Sequence, residues 1–276
     1  MAASTRSLAP VTRRKRAVTA PSGIVTLLTD FGTRDPFVGV MKGVVLSVER
    51  RLEVVDLTHE IEPQAIAPAA FWLEQSYGWF PAGTVHVVVV DPGVGGERAA
   101  LVVRARGHYF VGPDNGCFER VLRGAAGAEV RRIDVVRLGL AVPSRTFHGR
   151  DVFAPVAARL AARRLEFAAV GPEHAPLATA LVPDAVRDRD GTSGVVVVVD
   201  RFGNLITNVP AAAARLGTRV TLGDEALELV GAYADVAVGT AAAVVGSCGT
   251  VELFVRDGSA SARFGAKRGA SVRVSA

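Results

Sequence analysis

The order of short apolar runs and helix-like segments constrains the fold of this chain more than any other sequence feature. Over roughly the first 170 residues, short apolar runs such as 24–28 alternate with longer segments of helical pattern such as 36–48. Strands that alternate with helices are typical of a layered α/β domain with a mostly parallel sheet. We therefore expect an N-terminal α/β domain over residues 23–182.

The predicted elements of this domain can be assigned individually. Strands are expected at 24–28, 52–56, 84–90, 99–104 and 108–111, and helices at 36–48, 65–77 and 151–164. Pro36 suits the first turn of its helix, and Asp35 is expected as the N-cap.

The pattern changes near residue 175. Residues 183–194 are rich in Pro, Asp, Arg and Gly, which is typical of a linker. Short strands separated by Gly and Asp follow at 195–199, 218–222, 225–229, 242–245, 250–255 and 271–274. This spacing predicts a C-terminal all-β domain over 195–276, either a small barrel or a sandwich.

Charge and composition exclude several classes of protein. The formal charge of +5 comes from the first twenty residues, which carry five basic residues and no acid; the rest has 27 basic and 27 acidic residues. A nucleic-acid-binding body is therefore not expected. Residues 1–22 lack the apolar core of a secretory signal and are predicted to be a disordered basic tail. An organelle transit peptide is the alternative. We expect a cytoplasmic protein without a membrane span.

Cofactor motifs are missing from the sequence. Cys117 and Cys248 are too few for a disulfide framework, and the five histidines show no metal-ligand spacing, so no metal site is expected. The chain has no GxGxxG or Walker A motif, which disfavours a conventional nucleotide-binding loop.

The strand at 84–90 ends in the segment Asp91-Pro-Gly-Val-Gly-Gly-Glu-Arg98. Glycines at the carboxyl end of a strand form a tight turn and let the backbone approach a ligand. Arg98 would keep Asp91 ionised, so the pair could orient a water or a hydroxyl. The alternative is an ion pair that only stabilises the loop; the density of glycine favours a functional site.

Two other polar groups extend this candidate site. His148 precedes a predicted helix among small and charged neighbours, where an imidazole could act as a base or orient a substrate. Asp30 follows the first strand. Its carboxylate could accept hydrogen bonds from both hydroxyls of a ribose, or it could cap the next helix.

The second domain contributes polar residues at strand ends. Asp200, Phe202 and Asn204 follow the strand 195–199, and Ser247 and Glu252 flank the start of another. An asparagine side chain offers both the donor and the acceptor that an adenine edge requires. The alternative for Asn204 is a simple Gly-Asn turn.

Taken in order, seven motifs resemble the S-adenosyl-L-methionine (SAM) hydroxide adenosyltransferase family, the SAM hydrolases, which are related to the fluorinases. The motifs are TDFG, VDxTH, TVHVVVVDPGVGGER, PDNG, TFHGRDVFAPVAA, DRFGNLITN and GS…VELFV, and they span residues 24 to 275. The resemblance implies an α/β domain followed by a β-barrel. It also implies a homotrimer that binds its substrate between the N-terminal domain of one subunit and the C-terminal domain of the next.

The resemblance also implies roles for individual residues. Asp91, Arg98 and His148 match the set that prepares water for attack, and Asp30 matches the ribose ligand. The matched positions for the adenine and methionine ends of SAM are Asp200, Asn204, Ser247, Glu252 and the backbone near Val255. The implied reaction converts SAM and water into adenosine and methionine, with SAM as substrate and no cofactor.

Departures from the fluorinase pattern favour water over halide as the nucleophile. Asp91 stands where fluorinases have tyrosine, Gly149 where they have a halide-contacting serine, and their extended loop is missing. Phe37 stands where fluorinases have a small polar residue, so contacts to the methionine end are expected to differ from theirs. A halogenase is therefore disfavoured, and a module that binds SAM or adenosine without turnover is the remaining alternative.

Overall fold

The computed structural model describes residues 19–142 and 144–276. The predicted basic tail lies outside these residues up to position 18. Its last four residues contact the body: the Tyr109 hydroxyl donates to the Thr19 carbonyl at 2.7 Å, and the Ser22 amide donates to the Gly83 carbonyl at 3.0 Å. Contacts with the body are therefore present from Thr19 onward, a few residues before the first predicted strand.

The first sheet has six strands in the order β2-β1-β3-β5-β4-β6. Its strands are β1 (Ile24–Thr29), β2 (Glu53–Thr58), β3 (Val85–Val89), β4 (Ala100–Ala105), β5 (His108–Pro113) and β6 (Glu129–Arg132). Strands β2, β1, β3 and β5 run parallel, whereas β4 pairs antiparallel with β5 and β6. The mostly parallel sheet expected from the sequence is confirmed.

Helices cover both faces of this sheet. They are α1 (Phe37–Val48), α2 (Ile66–Tyr77), α3 (Glu119–Leu122) and α4 (Ala154–Ala161). Alternate residues of β3 face opposite layers: Val85 and Val87 pack with α1 and α4, whereas Val88 packs with α2 and α3. Both faces of the strand are therefore buried, which explains why β3 is apolar apart from the buried His86.

The C-terminal part forms a closed barrel. Its strands are β7 (Val186–Asp188), β8 (Gly191–Val199), β9 (Leu205–Pro210), β10 (Arg219–Leu222), β11 (Glu225–Val230), β12 (Ala241–Val245), β13 (Thr250–Val255) and β14 (Ser271–Ser275). Because β14 pairs with both β10 and β8, the seven strands from β8 to β14 close on themselves, and β7 extends β8 as a hairpin. A short helix, α5 (Ala260–Phe264), precedes the last strand.

The structure departs from the sequence-based prediction at four places. Asp35 does not cap α1, whose N-cap is Pro36 without a side-chain hydrogen bond. The expected linker at 183–194 contains β7 and the start of β8. Strands β6 and β9 were not predicted, because β6 has a single apolar residue and β9 follows a polar turn directly. The helix expected over 151–164 begins as a π-helical turn at Gly149–Phe153 and ends at Ala161.

No helix in the described ranges is both long and apolar enough to cross a bilayer.

Candidate active site

Asp91 and Arg98 form a two-pronged ion pair just beyond the carboxyl end of β3. Arg98 Nε donates to Asp91 Oδ1 at 2.9 Å, and Arg98 Nη2 contacts Asp91 Oδ2. The side chain of Arg98 is only 11% exposed and that of Asp91 only 4%. The turn holds this geometry because Gly95, at φ 76°, leaves no room for a side chain: an added Cβ would lie 2.5 Å from the Arg145 carbonyl oxygen.

His148 joins the pair through the same guanidinium. Arg98 Nη2 lies 2.8 Å from His148 Nδ1. An arginine can only donate, so Nδ1 must be the acceptor, and the proton of the neutral imidazole is on Nε2. Burial lowers the pKa of His148, and the charge of Arg98 lowers it further. Neutral His148 is therefore the form that fits the hydrogen-bond geometry.

The hydrogen bonds define what each member of this trio can do. The Nδ1 lone pair of His148 is occupied by Arg98, and its Nε2 carries a proton, so this tautomer orients a ligand rather than removing a proton. Each Asp91 oxygen accepts one bond from Arg98 and keeps a second lone pair, because a carboxylate has about four acceptor sites. Asp91 is thus the member with acceptor capacity for a water proton, and Arg98 supplies a fixed positive charge.

Asp30 lies in the same cavity and does not cap α1. Its Oδ2 accepts the Gln64 backbone N–H at 2.8 Å, and Gln64 adopts a positive φ of 66° in the turn before α2. The helix-cap alternative is therefore wrong for α1. Oδ1 and the remaining lone pair of Oδ2 have no partner among the described residues, which leaves acceptor capacity for a vicinal diol.

His59 supports the strand end that carries Asp30. The Nδ1 of this buried imidazole is hydrogen-bonded to the Thr29 hydroxyl at 2.9 Å, and its Nε2 lies 3.0 Å from Asp56 Oδ1. No functional role for His59 is predicted from the sequence. Its place in the VDxTH motif is explained by this structural bridge between β1 and β2.

Three phenylalanines form an apolar wall beside Asp91 and His148. The rings of Phe31, Phe37 and Phe147 meet edge to face with centroids 5.4 to 6.0 Å apart. Gly149 keeps Phe147 close, since a Cβ there would lie 3.1 Å from Met41 Sδ and 3.2 Å from the Phe147 ring. The cavity of about 440 Å³ is lined by Asp30, Phe31, Phe37, Pro63, Gln64, Val89, Asp91, Pro92, Val94, Thr146, Phe147, His148 and Gly149.

The predicted residues of the C-terminal domain line a second cavity of about 780 Å³. Asp200, Asn204, Ser247, Glu252 and Val255 all contribute to its wall, with Trp72 entering from α2. Asp200 Oδ1 accepts the backbone amides of Phe202 and Asn204, at 2.9 and 2.8 Å. The turn expected as the alternative role of Asn204 is therefore present, and the same residues still face the cavity.

Glu252 is the buried acid of this second cavity. Its side chain accepts the Tyr233 hydroxyl at 2.6 Å, and an added Cβ on Gly246 would lie 2.5 Å from Glu252 Oε2. Burial raises the pKa of Glu252, the Tyr233 hydroxyl opposes that shift, and Asp200 adds to it. The neighbouring Cys248 thiol also has a raised pKa, mainly because it is half-buried.

The structure thus groups the predicted residues into two sets that do not meet within one chain. Asp30, Asp91 and His148 line the first cavity, and within the described ranges the two cavities share no lining residue. Tyr233, Gln64 and Trp72 were not predicted from the sequence. Tyr233 lies in a 3₁₀ turn and Gln64 acts through its backbone, so no sequence pattern marks them.

Metal-ligand clusters are not found in the described part of the chain: no three His, Cys, Asp or Glu side chains come together there as ion ligands would.

An α/β domain with an Asp–Arg–His chain at a strand end, followed by a closed barrel, defines a class of two-domain small-molecule enzymes. Comparison with protein families makes this specific. Residues 25–171 match the SAM hydroxide adenosyltransferase N-terminal domain, and residues 194–273 match the C-terminal domain. The chain belongs to the SAM hydroxide adenosyltransferase family.

Individual relatives agree with this assignment. The chain is 38% identical to the (R)-S-adenosyl-L-methionine hydrolase of Thermus thermophilus, with 91% of this chain and 98% of the relative covered. It is 28% identical to the fluorinase of Actinopolyspora mzabensis, with coverage of 91% and 96%. A crystal structure of an uncharacterized conserved protein from Thermotoga maritima superposes with a TM-score of 0.84 at 34% identity, covering 91% of this chain and 99% of that one.

Proposed function

We propose that this protein hydrolyses S-adenosyl-L-methionine to adenosine and L-methionine. The observation that carries the proposal is the Arg98 guanidinium, which bonds both Asp91 and His148, two residues that line the first cavity. A binding module without turnover has no use for this charged chain of three side chains. The names of the related hydrolases agree with the proposed substrate.

The arrangement suits attack of water at C5′ of the adenosyl group. The sulfonium leaves as a neutral thioether, so no acid is required at sulfur. As the new C–O bond forms and the C–S bond breaks, the water loses a proton, which Asp91 is placed to accept. Arg98 stabilises the developing hydroxide charge, and neutral His148 orients the water. The phenylalanine wall gives the reacting centre an apolar side. In this proposal no cofactor takes part.

The test is turnover in ¹⁸O-labelled water, with the two sulfonium epimers of SAM supplied separately because the related hydrolases are named for the (R) form. We expect adenosine that carries the label on its 5′-hydroxyl, and methionine in equal amount. Unlabelled adenosine, or 5′-chloroadenosine in chloride buffer, would contradict attack by water. Binding of both epimers with no product would support the binding-module alternative instead.

We further propose a homotrimer in which the first cavity of one subunit faces the second cavity of its neighbour. One observation supports this: the residues matched to a single substrate line two separate cavities, so neither cavity by itself holds the full set. Working in the cytoplasm, as the sequence predicts, would place the enzyme beside its substrate.

Mixing two inactive variants tests the shared site. His148→Ala damages the first cavity, and Asn204→Asp damages the second. If each site combines cavities from two chains, subunit exchange creates some sites with neither lesion, and activity reappears. If the site forms within one chain, every site keeps a lesion and no mixture recovers activity. A monomer by light scattering would also contradict the proposal.

A further inference from the structure

The motif Pro113-Asp-Asn-Gly116, which follows β5, has no role in the proposed chemistry. The Asn115 side chain nevertheless bridges two backbone groups. Its Nδ2 donates to the Val90 carbonyl at 2.9 Å, and its Oδ1 accepts the Cys117 amide at 3.2 Å. This orientation of the amide satisfies both partners, because a carbonyl can only accept and an N–H can only donate. Val90 is the residue directly before Asp91.

The neighbouring residue holds the other half of the ion pair. The Asp114 amide donates to the Ala99 carbonyl at 2.9 Å, and Ala99 directly follows Arg98. Strand β5 lies between β3 and β4 in the sheet. The loop after β5 therefore sits between the strand ends that carry Asp91 and Arg98, and it is bonded to the backbone beside each of them.

The loop after β5 is in turn held by contacts with residues 174–179. The Asp114 carboxylate accepts His174 Nε2 and the Leu177 amide, both at 2.8 Å. Gly116, at φ 96°, packs so tightly that a Cβ would lie 2.6 Å from Thr179 Oγ1, and a Cβ on Gly112 would lie 2.4 Å from the Val88 carbonyl oxygen. The loop has little room to move away from the strand ends that it holds.

We propose that Asn115 is a positioning residue that sets the placement of Asp91 relative to Arg98 and His148. Its Nδ2–H fixes the carbonyl before Asp91, while the adjacent Asp114 amide fixes the carbonyl after Arg98, so one loop sets the spacing of both partners. The catalytic meaning of this role rests on the proposed hydrolysis. A displacement of about 1 Å at a reacting group can cost about 100-fold in rate, so losing the Asn115 bond should act on turnover.

Asn208 provides a matched control. It also bridges two backbone groups: Nδ2 donates to the Pro183 carbonyl and Oδ1 accepts the Val195 amide, both at 2.7 Å. It lies on β9, and it lines neither of the two cavities described above. Asn208→Ala therefore removes the same kind of hydrogen bonds as Asn115→Ala without touching the backbone beside Asp91.

The experiment compares kcat, KM and melting temperature for Asn115→Ala, Asn115→Asp and Asn208→Ala. We expect both Asn115 variants to lose about 10- to 100-fold in kcat, with KM within about threefold of the unmodified protein. Asn208→Ala should lower the melting temperature about as much as Asn115→Ala does, and it should keep kcat within about twofold of the unmodified protein. Unchanged kcat in Asn115→Ala, or equal loss of kcat in Asn208→Ala, would overturn the proposal.

A second readout separates this proposal from the hydrolysis itself. If the unmodified protein turns over neither SAM epimer, the proposed function fails, and the positioning role is then tested by ¹⁵N NMR titration of His148. Arg98 lowers the pKa of this imidazole, so a displaced Arg98 should raise it in uncharged Asn115→Ala and not in Asn208→Ala. If His148 titrates identically in the unmodified protein, in Asn115→Ala and in Asn208→Ala, the positioning role is refuted whatever the reaction is.

Discussion

The two cavities of this protein handle charge in opposite ways. In the first, Asp91 and Arg98 neutralise each other through two hydrogen bonds and extend to His148, so nearly buried charges are kept. In the second, Glu252 has a neutral phenol as its hydrogen-bond partner, and burial raises the pKa of its carboxyl group. A buried charge persists only where it is paired. We therefore propose that the first cavity carries out the chemistry and that the second serves recognition.

The contacts that hold the two cavities in place also differ, in how far along the chain their partners lie. The first cavity is braced by backbone bonds from a separate loop at Asp114 and Asn115, and by a glycine-rich turn that admits no side chain at Gly95. The second is closed by a local turn in which Asp200 bonds its own near neighbours. Residues that react need placement relative to distant groups, whereas a binding surface can be built from short-range contacts.

The largest expected effect tests whether the first cavity does the chemistry. Arg98→Ala should lower kcat by about 100- to 1,000-fold, because it removes the fixed positive charge and leaves Asp91 buried without a partner. Arg98→Lys is the matched control: it keeps the charge, loses the two-pronged geometry, and should retain part of the activity. Steady-state rates with either SAM epimer measure both. If Arg98→Ala changes only KM, the distinction between the cavities fails.

Asp30 sharpens the comparison, because we propose it as a ribose-binding residue in the cavity to which we assign the chemistry. Asp30→Ala should weaken adenosine binding by about 2–3 kcal/mol, through loss of charge-assisted hydrogen bonds to the ribose hydroxyls. Calorimetry with adenosine measures this change. The exposed Asp35, which does not cap α1, is the control, and Asp35→Ala should bind as the unmodified protein does. If the dissociation constant of Asp30→Ala is unchanged, Asp30 does not bind the ribose, and its only role is to accept the Gln64 backbone N–H.

The pH dependence of kcat tests the protonation state of His148. Burial and Arg98 lower its pKa below the usual value of 6.5, so the neutral form persists below that pH. Activity should be full above pH 6.5 and fall about tenfold per pH unit once the pH drops below the lowered pKa. The accompanying loss of stability begins at pH 6.5, where the unfolded chain takes up the proton first.

A second buried histidine, His86, also makes the stability of the protein depend on pH, so unfolding must be measured alongside the rate. Burial lowers the pKa of His86 to about 3, and its ring is bonded to Thr26 at 2.8 Å and to His108 at 3.1 Å. Stability should therefore fall by about 1.4 kcal/mol per pH unit for this group as the pH drops from 6.5 towards 3. Circular dichroism at each pH separates unfolding from titration of His148. A rate that falls only with the unfolded fraction would contradict the His148 assignment.

A smaller effect is expected in the second cavity. Tyr233→Phe removes the hydroxyl that opposes the raised pKa of Glu252, so this carboxyl group should be protonated more readily. We expect KM to rise about fivefold, corresponding to about 1 kcal/mol, with kcat within about twofold. Steady-state kinetics at pH 7 provide the measurement. A fall in kcat with unchanged KM would show that the second cavity also serves the chemical step.

Deleting the N-terminal tail should have the smallest effect on activity, because we expect the tail to contribute to neither cavity. Deleting residues 1–18 should leave kcat and KM within about twofold of the full chain. Deleting residues 1–20 should do the same for activity but cost about 1 kcal/mol of stability, because the Tyr109 hydroxyl loses the Thr19 carbonyl. Kinetics and thermal unfolding of the two truncations measure this difference. Loss of turnover in the shorter deletion would assign the tail a role in the site or in assembly.

The sequence by itself determined the layered α/β architecture and the barrel-like second domain, because both follow from local periodicity. A β3 that is apolar apart from His86 requires burial on both faces, and short strands separated by Gly and Asp are typical of a small all-β domain. It also marked Asp91, Arg98 and His148, since carboxylates and glycines after an apolar strand have no use in a core. Strands β6 and β7 escaped prediction because they are held by pairing with β4 and β8 rather than by apolar burial.

Only the tertiary structure decided which polar residues meet. It joined His148 to Arg98 across 50 residues of chain, placed Asn115 against the carbonyl before Asp91, and separated Asn204 and Glu252 into another cavity. Such contacts depend on strand order and on loop packing. Neither leaves a periodic signal in the sequence, because both arise from elements that are distant along the chain and are brought together only when the sheet and the barrel have formed.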